Sequence, residues 1–205
     1  MSDKKQIKVW DILVRIFHWS LVLTFCIAYL TGEEESNRHI YAGYAVLGLI
    51  SFRLIWGLVG SKHARFSDFI YSPVTIIQYL KELFGKNPKH YLGHNPAGGV
   101  MVVLLLISLF IVTISGLKVY AIEEGKGPLA SATNIELIRY SHADDNEHEE
   151  SEHGEEEEFW EEIHETATHF TLFLILIHII GVIIANKLHE ENLVKAMLTG
   201  KKDIS

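Results

Sequence analysis

The chain has 205 residues, of which 48% are hydrophobic and 21% charged, with a net charge of −8 and a mean hydropathy of +0.17. A soluble domain of this length rarely averages so hydrophobic, so the composition excludes a soluble enzyme and favours an integral membrane protein. A single cysteine, Cys26, excludes a disulfide framework.

Four long apolar segments account for the hydropathy, and they lie at residues 10–31, 39–59, 98–121 and 163–185. Each is long enough to cross about 30 Å of hydrocarbon as a helix. No stretch alternates like the strands of a membrane barrel. The sequence therefore predicts an all-α, integral membrane four-helix bundle, with residues 1–205 forming a single domain.

The basic residues are distributed unevenly around these segments. Fourteen of the 18 Lys and Arg residues lie in or beside the N-terminal tail, the second connection and the C-terminal tail. The other four are Arg38, Lys118, Lys126 and Arg139. Because basic residues are retained on the cytoplasmic side, both termini are predicted to be cytoplasmic.

The second connection contains a predicted amphipathic helix. Ser72 and Pro73 form a good helix start, and Gly85 is suited to end the helix. The apolar residues of this helix fall on one face, which predicts that the helix lies on the cytoplasmic membrane surface. These residues are Val74, Ile77, Leu80, Leu83 and Phe84. Leu193, Ala196 and Met197 predict a second, weaker helix of this kind.

The third connection is strongly acidic. Of the 19 residues from Asp144 to Glu162, 12 are Asp or Glu. Residues 141–162 are therefore predicted to form a long acidic periplasmic loop, solvated and mostly disordered. An alternative interpretation makes this loop an electrostatic docking surface for a basic periplasmic partner. Its histidines, His142, His148 and His153, could bind a divalent metal, although their irregular spacing argues against a defined site.

Four histidines are placed within or at the ends of the apolar segments. Ionisable groups in such segments are costly, so each is a functional hypothesis. His164 and His178 are 14 residues apart, or 1400° around a helix, which places them on one face roughly 21 Å apart along the axis. His169 points elsewhere.

The predicted depths of these histidines match in pairs. His18 and His178 fall at the inner level, whereas His39 and His164 fall at the outer level. Two bis-histidine sites stacked in a four-helix bundle suit two haems b. Any one histidine alone could instead cap a helix or form a hydrogen bond across the bundle.

Arginines accompany the histidines at both levels. Arg53 shares a helix face with His39 at the inner level, Arg15 precedes His18 by one turn, and Arg38 adjoins His39. Such cations suit haem propionates. Interfacial anchoring is a comparable interpretation for Arg15 and Arg38.

Several motifs resemble the bacterial membrane cytochrome b family, which includes cytochrome b561 and the b-type subunits of nickel-iron hydrogenases and formate dehydrogenases. They are VWD at 9–11, RIFHW at 15–19, HIYAGY at 39–44, RLIWG at 53–57, ARF at 64–66 and GHNPAGG at 93–99, followed by the paired histidines of the fourth segment. The resemblance implies two haems b, with one histidine each from the first two helices and two from the fourth.

The resemblance also implies electron exchange with quinone beside the inner haem, near His94-Asn95-Pro96. Asn95 would donate a hydrogen bond to a quinone carbonyl, and His94 would exchange its proton. The simpler alternative is a turn and helix start at Asn95-Pro96, with His94 on the surface.

The function predicted from these observations is a dihaem cytochrome b of the bacterial inner membrane. It would transfer electrons between the quinone pool and a periplasmic c-type cytochrome or hydrogenase-like redox protein. One alternative is a self-sufficient, quinone-linked oxidoreductase acting on a small molecule such as superoxide. Another is a metal-ion transporter or sensor that uses the His/Glu loop. Membrane lipid is an expected partner and nucleic acid is not.

Overall fold

A computed structural model gives the structure of the chain and describes residues 5–32, 36–83, 89–130 and 149–204. The helices are α1 (Ile12–Leu30), α2 (Asn37–Val59), α3 (Pro73–Leu83), α4 (Pro96–Glu124), α5 (Glu149–Leu188) and α6 (Leu193–Thr199). A 3-10 turn covers Phe66–Asp68, and two short strands are β1 (Lys5–Lys8) and β2 (Lys201–Ile204).

Four helices are long and apolar enough to cross a membrane: α1, α2, α4 and the part of α5 from Gly154 to Leu188. The first three begin and end within three residues of the predicted segments. Their outward surfaces are apolar, and Leu30 on α1 is 77% exposed. Since apolar surface is stable in lipid and every helical backbone group is hydrogen-bonded internally, these helices describe a multi-pass helical membrane protein.

The chain divides into two compact units. One unit comprises Met1–Leu106 together with Phe173–Ser205, and the other comprises Ile107–Leu172. The prediction of a single domain over residues 1–205 stays a prediction.

In the first unit the two ends of the chain pair with each other. β1 and β2 are antiparallel, with Lys5 opposite Ile204 and Lys8 opposite Lys201. The structure is mostly helical, as predicted, and this ribbon adds two short strands that the all-α prediction did not include. Strands of four residues that are rich in lysine show too little alternation of polar and apolar residues to be recognised in the sequence. Their pairing also joins residues almost 200 positions apart, and a local sequence pattern cannot indicate such a contact.

The start of α1 is bound to the end of α2 through Asp11. Its carboxylate accepts hydrogen bonds from the backbone nitrogen of Val14 at 2.8 Å, from Nε1 of Trp56 at 3.2 Å and from the hydroxyl of Ser61. One side chain therefore caps α1 and fixes the segment that follows α2.

Helix α3 begins at Pro73, where the hydroxyl of Ser72 accepts a hydrogen bond from the backbone nitrogen of Thr75 at 3.3 Å. Its Tyr79 is buried in the first unit, whereas Val74 and Ile77 are exposed. The predicted end, at Phe84 and Gly85, lies outside the described residues. The position of this helix at the cytoplasmic membrane surface stays a prediction.

The predicted acidic loop at 141–162 is partly wrong, because α5 begins at Glu149 and residues 149–162 are helical. Glutamate is a good helix former, and negative side chains are favourable in the first turns of a helix. Lys118 of α4 lies 5.7 Å from the ring centre of Trp160 and 4.0 Å from the carboxylate of Glu156. Residues 141–148 lie outside the described part of the chain.

Gly99, in the first turn of α4, permits a close backbone contact. A Cβ at this position would collide with the carbonyl oxygen of Phe69. We expect Gly99→Ala to lower the thermal unfolding midpoint in detergent, corresponding to about 1–3 kcal/mol of lost stability, since backbone must move to admit the methyl group. Gly181→Ala on α5 is the control, because its Cβ would have no atom within 4 Å. An equal effect of both substitutions would contradict this account.

Candidate functional site

His18 on α1 and His178 on α5 lie in the same unit, and both side chains are partly buried. Their imidazoles lie close enough to interact electrostatically. Nδ1 of His18 is buried, and no described residue provides it with a hydrogen-bond partner. Since an unsatisfied buried polar atom is costly, this arrangement indicates that a further group belongs beside the two imidazoles.

His39 begins α2 with its ring orientation already fixed. Its Nδ1 lies 2.9 Å from the carbonyl oxygen of Ala28 on α1. A carbonyl can only accept, so Nδ1 carries the ring proton and Nε2 carries the lone pair. This is the usual state of an imidazole that ligates a metal through Nε2.

His164, in the second unit, has the same kind of partner. Its Nδ1 lies 2.9 Å from the carbonyl oxygen of Val112 and 3.2 Å from the hydroxyl of Ser115, both on α4. Gly116 admits the ring, because a Cβ there would lie 2.9 Å from Cε1 of His164. His164 therefore also presents Nε2 as its basic nitrogen.

His18 and His178 lie within one unit and interact electrostatically, and their pairing as ligands stays a prediction. His39 belongs to the first unit and His164 to the second, and each is described within its own unit. The pairing of His39 with His164 stays a prediction.

Arg53 on α2 is only 3% exposed. Its guanidinium carbon lies 4.9 Å from the ring centre of Phe66 and 5.8 Å from that of Phe69. Its Nη1 is buried without a hydrogen-bond partner, and its charge interacts with that of Asp11. A buried guanidinium with an unused donor is suited to bind an anionic group.

The other two predicted arginines lie in different surroundings. Nε of Arg15 donates to the carbonyl oxygen of Met197 at 3.3 Å, and its Nη2 donates to that of Leu198. Arg15 therefore satisfies carbonyl groups in the last turn of α6. Arg38 is exposed in the first turn of α2. Propionate binding by either residue stays a prediction.

His94 is packed between aromatic rings instead of lying on the surface. Its ring centre is 4.5 Å from that of Trp10 and 4.6 Å from that of Phe69. Burial, together with the charges of Arg53, His63, Lys202 and His178, lowers the pKa of His94 to about 3. Its Nδ1 is a further buried atom without a hydrogen-bond partner.

Asn95 caps α4. Its side-chain oxygen accepts a hydrogen bond from the backbone nitrogen of Gly98 at 2.7 Å, and Pro96 opens the helix. The turn and helix start offered as the simpler alternative is therefore present. A role of Asn95 in binding quinone stays a prediction.

A cavity of about 190 Å³ is lined in part by Phe69. Its lining is almost entirely apolar and consists of Phe69, Ile70, Tyr71, Ile76, Gly99, Val100, Val103 and Leu104. The sequence analysis did not find it, because its wall combines the 69–71 turn, α3 and α4. The Gly98-Gly99 pair, which lets α4 approach the turn closely, was the one local signal.

These donors fit a haem b. Among the described residues, the buried side-chain atoms without a hydrogen-bond partner are His18 Nδ1, Arg53 Nη1, His94 Nδ1 and Ser36 Oγ. His94 interacts electrostatically with Arg53 and with His178, and His18 interacts with His178. Gly43, one turn after His39, has no atom within 4 Å of its Cβ direction. A haem b requires imidazoles to bind its iron, a guanidinium to bind a propionate carboxylate, and open space for the ring, here beside α2.

The acidic surface of the second unit gives no support to a histidine metal site. Carboxylate oxygens of Glu123, Glu157 and Glu161 lie within 4.8 Å of one another, and such exposed groups are common without an ion. His142 and His148 lie outside the described residues, as does the side chain of His153.

Comparison with known proteins gives a family match and curated relatives. The sequence model of the prokaryotic cytochrome b561 family matches residues 9–200. The chain is 28% identical over 153 residues to the probable Ni/Fe-hydrogenase B-type cytochrome subunit of Azotobacter chroococcum, covering 60% of this chain and 62% of the relative. The subunit of the same name from Rhodobacter capsulatus is 21% identical over 230 aligned positions, covering 97% of this chain and 82% of the relative.

A third relative with this name, from Azotobacter vinelandii, is 28% identical over 150 residues, covering 58% of this chain and 60% of the relative. The chain thus spans about three fifths of the length of both Azotobacter relatives. No solved structure gives a significant match.

The surroundings of His94 predict a dependence of stability on pH. Its pKa is about 3 in the folded protein, against about 6.5 in an unfolded chain, so protonation between these values favours unfolding. The stabilisation is complete above pH 6.5 and decreases as the pH falls toward 3. We expect the thermal midpoint to fall between pH 7 and pH 5, and His94→Gln to reduce that fall. His169→Gln, at an exposed position of α5, should leave it unchanged; equal slopes in all three proteins would contradict the account.

Proposed function

This chain belongs to the prokaryotic cytochrome b561 family, and from that premise we propose that it is a dihaem cytochrome b conducting electrons between the quinone pool and a periplasmic redox partner. Membership makes it a multi-pass membrane b-type cytochrome of electron transfer. The observation that carries the finer proposal is the group of His18, His178, Arg53 and His94. It contains three buried polar atoms for which the described residues supply no hydrogen-bond partner.

In this proposal the imidazoles of His18 and His178 would ligate the iron of the inner haem. Arg53 holds a propionate, because its buried Nη1 needs an acceptor and the rings of Phe66 and Phe69 fix its position. When bound, haem b supplies an iron that accepts and releases one electron at a time. The chain contributes ligation, orientation and a low-dielectric surrounding that tunes the potential.

The outer haem is assigned to His39 and His164. Support comes from their matching hydrogen bonds, since Nδ1 of each ring donates to a backbone carbonyl, that of Ala28 or of Val112. Such bonds fix the tautomer and strengthen Nε2 as a ligand. Both rings donate Nδ1–H to a backbone carbonyl and leave Nε2 as the basic nitrogen. This shared arrangement favours ligation over a helix-capping role for either histidine.

Quinone is proposed to bind at the apolar cavity beside Phe69. The cavity suits an apolar ring, and His94 packs against the ring of Phe69, which lines the cavity. Complete reduction of a quinone takes up two electrons and two protons. The neutral state of His94, and an Nδ1 with no hydrogen-bond partner among the described residues, support a role in exchanging one of these protons with the cytoplasmic side.

The proposed location is the bacterial inner membrane, with both termini in the cytoplasm. The lysine and arginine distribution supports this orientation, and the pairing of β1 with β2 requires both ends to lie on one side. The names of the relatives favour a hydrogenase-like partner. The exposed Glu155 and Glu158 at the other end of α5 favour a basic docking surface on that partner or on a c-type cytochrome.

Haem content tests the ligand assignment. Purified wild-type protein should contain two haems b per chain, measured as the pyridine haemochrome. We expect His178→Ala to lower the content to one, because the inner iron loses a ligand while the outer pair is intact. His169→Ala, on the same helix but off the ligand face, is the matched control and should retain two. Retention of two haems by His178→Ala would refute the pairing.

Filling the cavity tests the quinone assignment. Val103 lines the cavity, and Val103→Phe would occupy much of its volume. We expect the variant to keep both haems and their spectra while the initial rate of haem reduction by menadiol falls at least tenfold. Ile107→Phe, at a 53% exposed position one turn further along α4, should react like wild type. An unchanged rate in Val103→Phe would place quinone elsewhere.

A further inference from the structure

Lys202, in the C-terminal strand β2, is buried although it carries a charge. It is 5% exposed. Its Nζ lies 2.8 Å from a carboxylate oxygen of Glu191 and donates to the carbonyl oxygen of Tyr91 at 3.3 Å. Lysine side chains on short terminal strands are normally solvated, so this burial requires a specific reason.

The contacts of Lys202 connect three segments that are distant in sequence. The second carboxylate oxygen of Glu191 lies 2.5 Å from Nε2 of His90. Glu191 belongs to the turn between α5 and α6, whereas His90 and Tyr91 belong to the segment that leads into His94 and α4. Removing one member of such a buried pair leaves the other charge uncompensated, so the three segments are held as a unit.

The same C-terminal segment also bonds the residues that precede α1, and one of these residues, Trp10, packs on His94. The carbonyl oxygen of Gly200 accepts hydrogen bonds from the backbone nitrogens of Val9 at 2.9 Å and Trp10 at 3.2 Å. The ring of Trp10 in turn packs on His94 at 4.5 Å. Residues 200–202 therefore hold both the aromatic neighbour of His94 and the backbone three residues before it.

We infer that residues 200–202 are a brace that positions His94 for the quinone reaction, with Lys202 as its positioning residue. The inference rests on the proposed quinone site beside His94. Lys202 contacts Tyr91 and Glu191 through its side chain, and Gly200 binds the backbone of Val9 and Trp10. The tail therefore acts on the segments next to the site and not on the haem ligands. Lys202 touches neither the cavity wall nor the four ligand histidines in the contacts that the structure describes.

The test uses the full-length, haem-loaded protein and three variants. Lys202→Met removes the charge with little change in length, and Lys202→Arg retains it. Lys201→Met is the matched control, because Lys201 is the neighbouring residue of the same strand and is exposed. The measurements are haem content, hydrogen–deuterium exchange of the peptide covering residues 89–95, and the initial rate of haem reduction at varied menadiol concentration, which gives the maximal rate and the half-saturating concentration (KM).

We expect Lys202→Met to retain its haem, to exchange hydrogen at residues 89–95 at least tenfold faster, and to show a KM for menadiol raised at least fivefold. Lys202→Arg should recover most of both effects, and Lys201→Met should match wild type. If Lys202→Met yields no haem-loaded protein, Glu191→Gln breaks the same pair while keeping a hydrogen-bonding side chain, and the same changes are expected.

Two results would overturn the inference while leaving the proposed quinone site intact. One is wild-type exchange at residues 89–95 in Lys202→Met. The other is faster exchange with an unchanged KM, which would make the brace structural only. Failure of haem-loaded wild-type protein to react with menadiol would instead refute the quinone proposal itself, and the inference with it.

Discussion

The cost of burying a polar group away from water governs this protein. In a membrane span no solvent can satisfy an imidazole or a guanidinium, so each must find a partner in protein or cofactor. His39 and His164 meet this requirement at Nδ1 through backbone carbonyls. His18 and Arg53 retain buried atoms with no partner among the described residues. The proposed outer ligands are thus held at Nδ1, whereas the buried atoms without a partner belong to residues that are proposed to bind the inner haem.

The arginines show why residue type alone does not assign a role. The sequence gives Arg15 and Arg53 the same predicted role, because each lies in an apolar segment at the predicted depth of the inner pair of histidines. In the structure Arg15 donates to carbonyl oxygens at the end of α6, whereas Arg53 lies over two phenylalanine rings with Nη1 unpaired. The same guanidinium chemistry thus closes a helix end in one place and leaves a donor for an anion in the other.

The chain ends contribute to the site as well as to the fold. The pairing of β1 with β2, the bonds from Gly200 to Trp10 and the ion pair of Lys202 with Glu191 all lie near the segment that carries His94. His94 is in turn bounded by Trp10 and Phe69. Aromatic packing keeps His94 neutral and shielded from bulk water beside the apolar cavity. This environment suits the proposed exchange of a proton with a quinone.

Composition and periodicity by themselves determined the membrane class, the approximate limits of α1, α2 and α4, and the histidines worth considering, because hydrophobic length and the 3.6-residue repeat are local properties. The pairing of His18 with His178, which rests on their matched depth, stays a prediction. Only the tertiary structure decided the terminal ribbon, the cavity beside Phe69, the burial of Lys202 and the packing of His94, since each depends on residues far apart in sequence. The start of α5 at Glu149 was also decided by the tertiary structure. The acidic run by itself predicts a solvated loop, whereas in the structure Lys118 of α4 lies near Trp160 and Glu156.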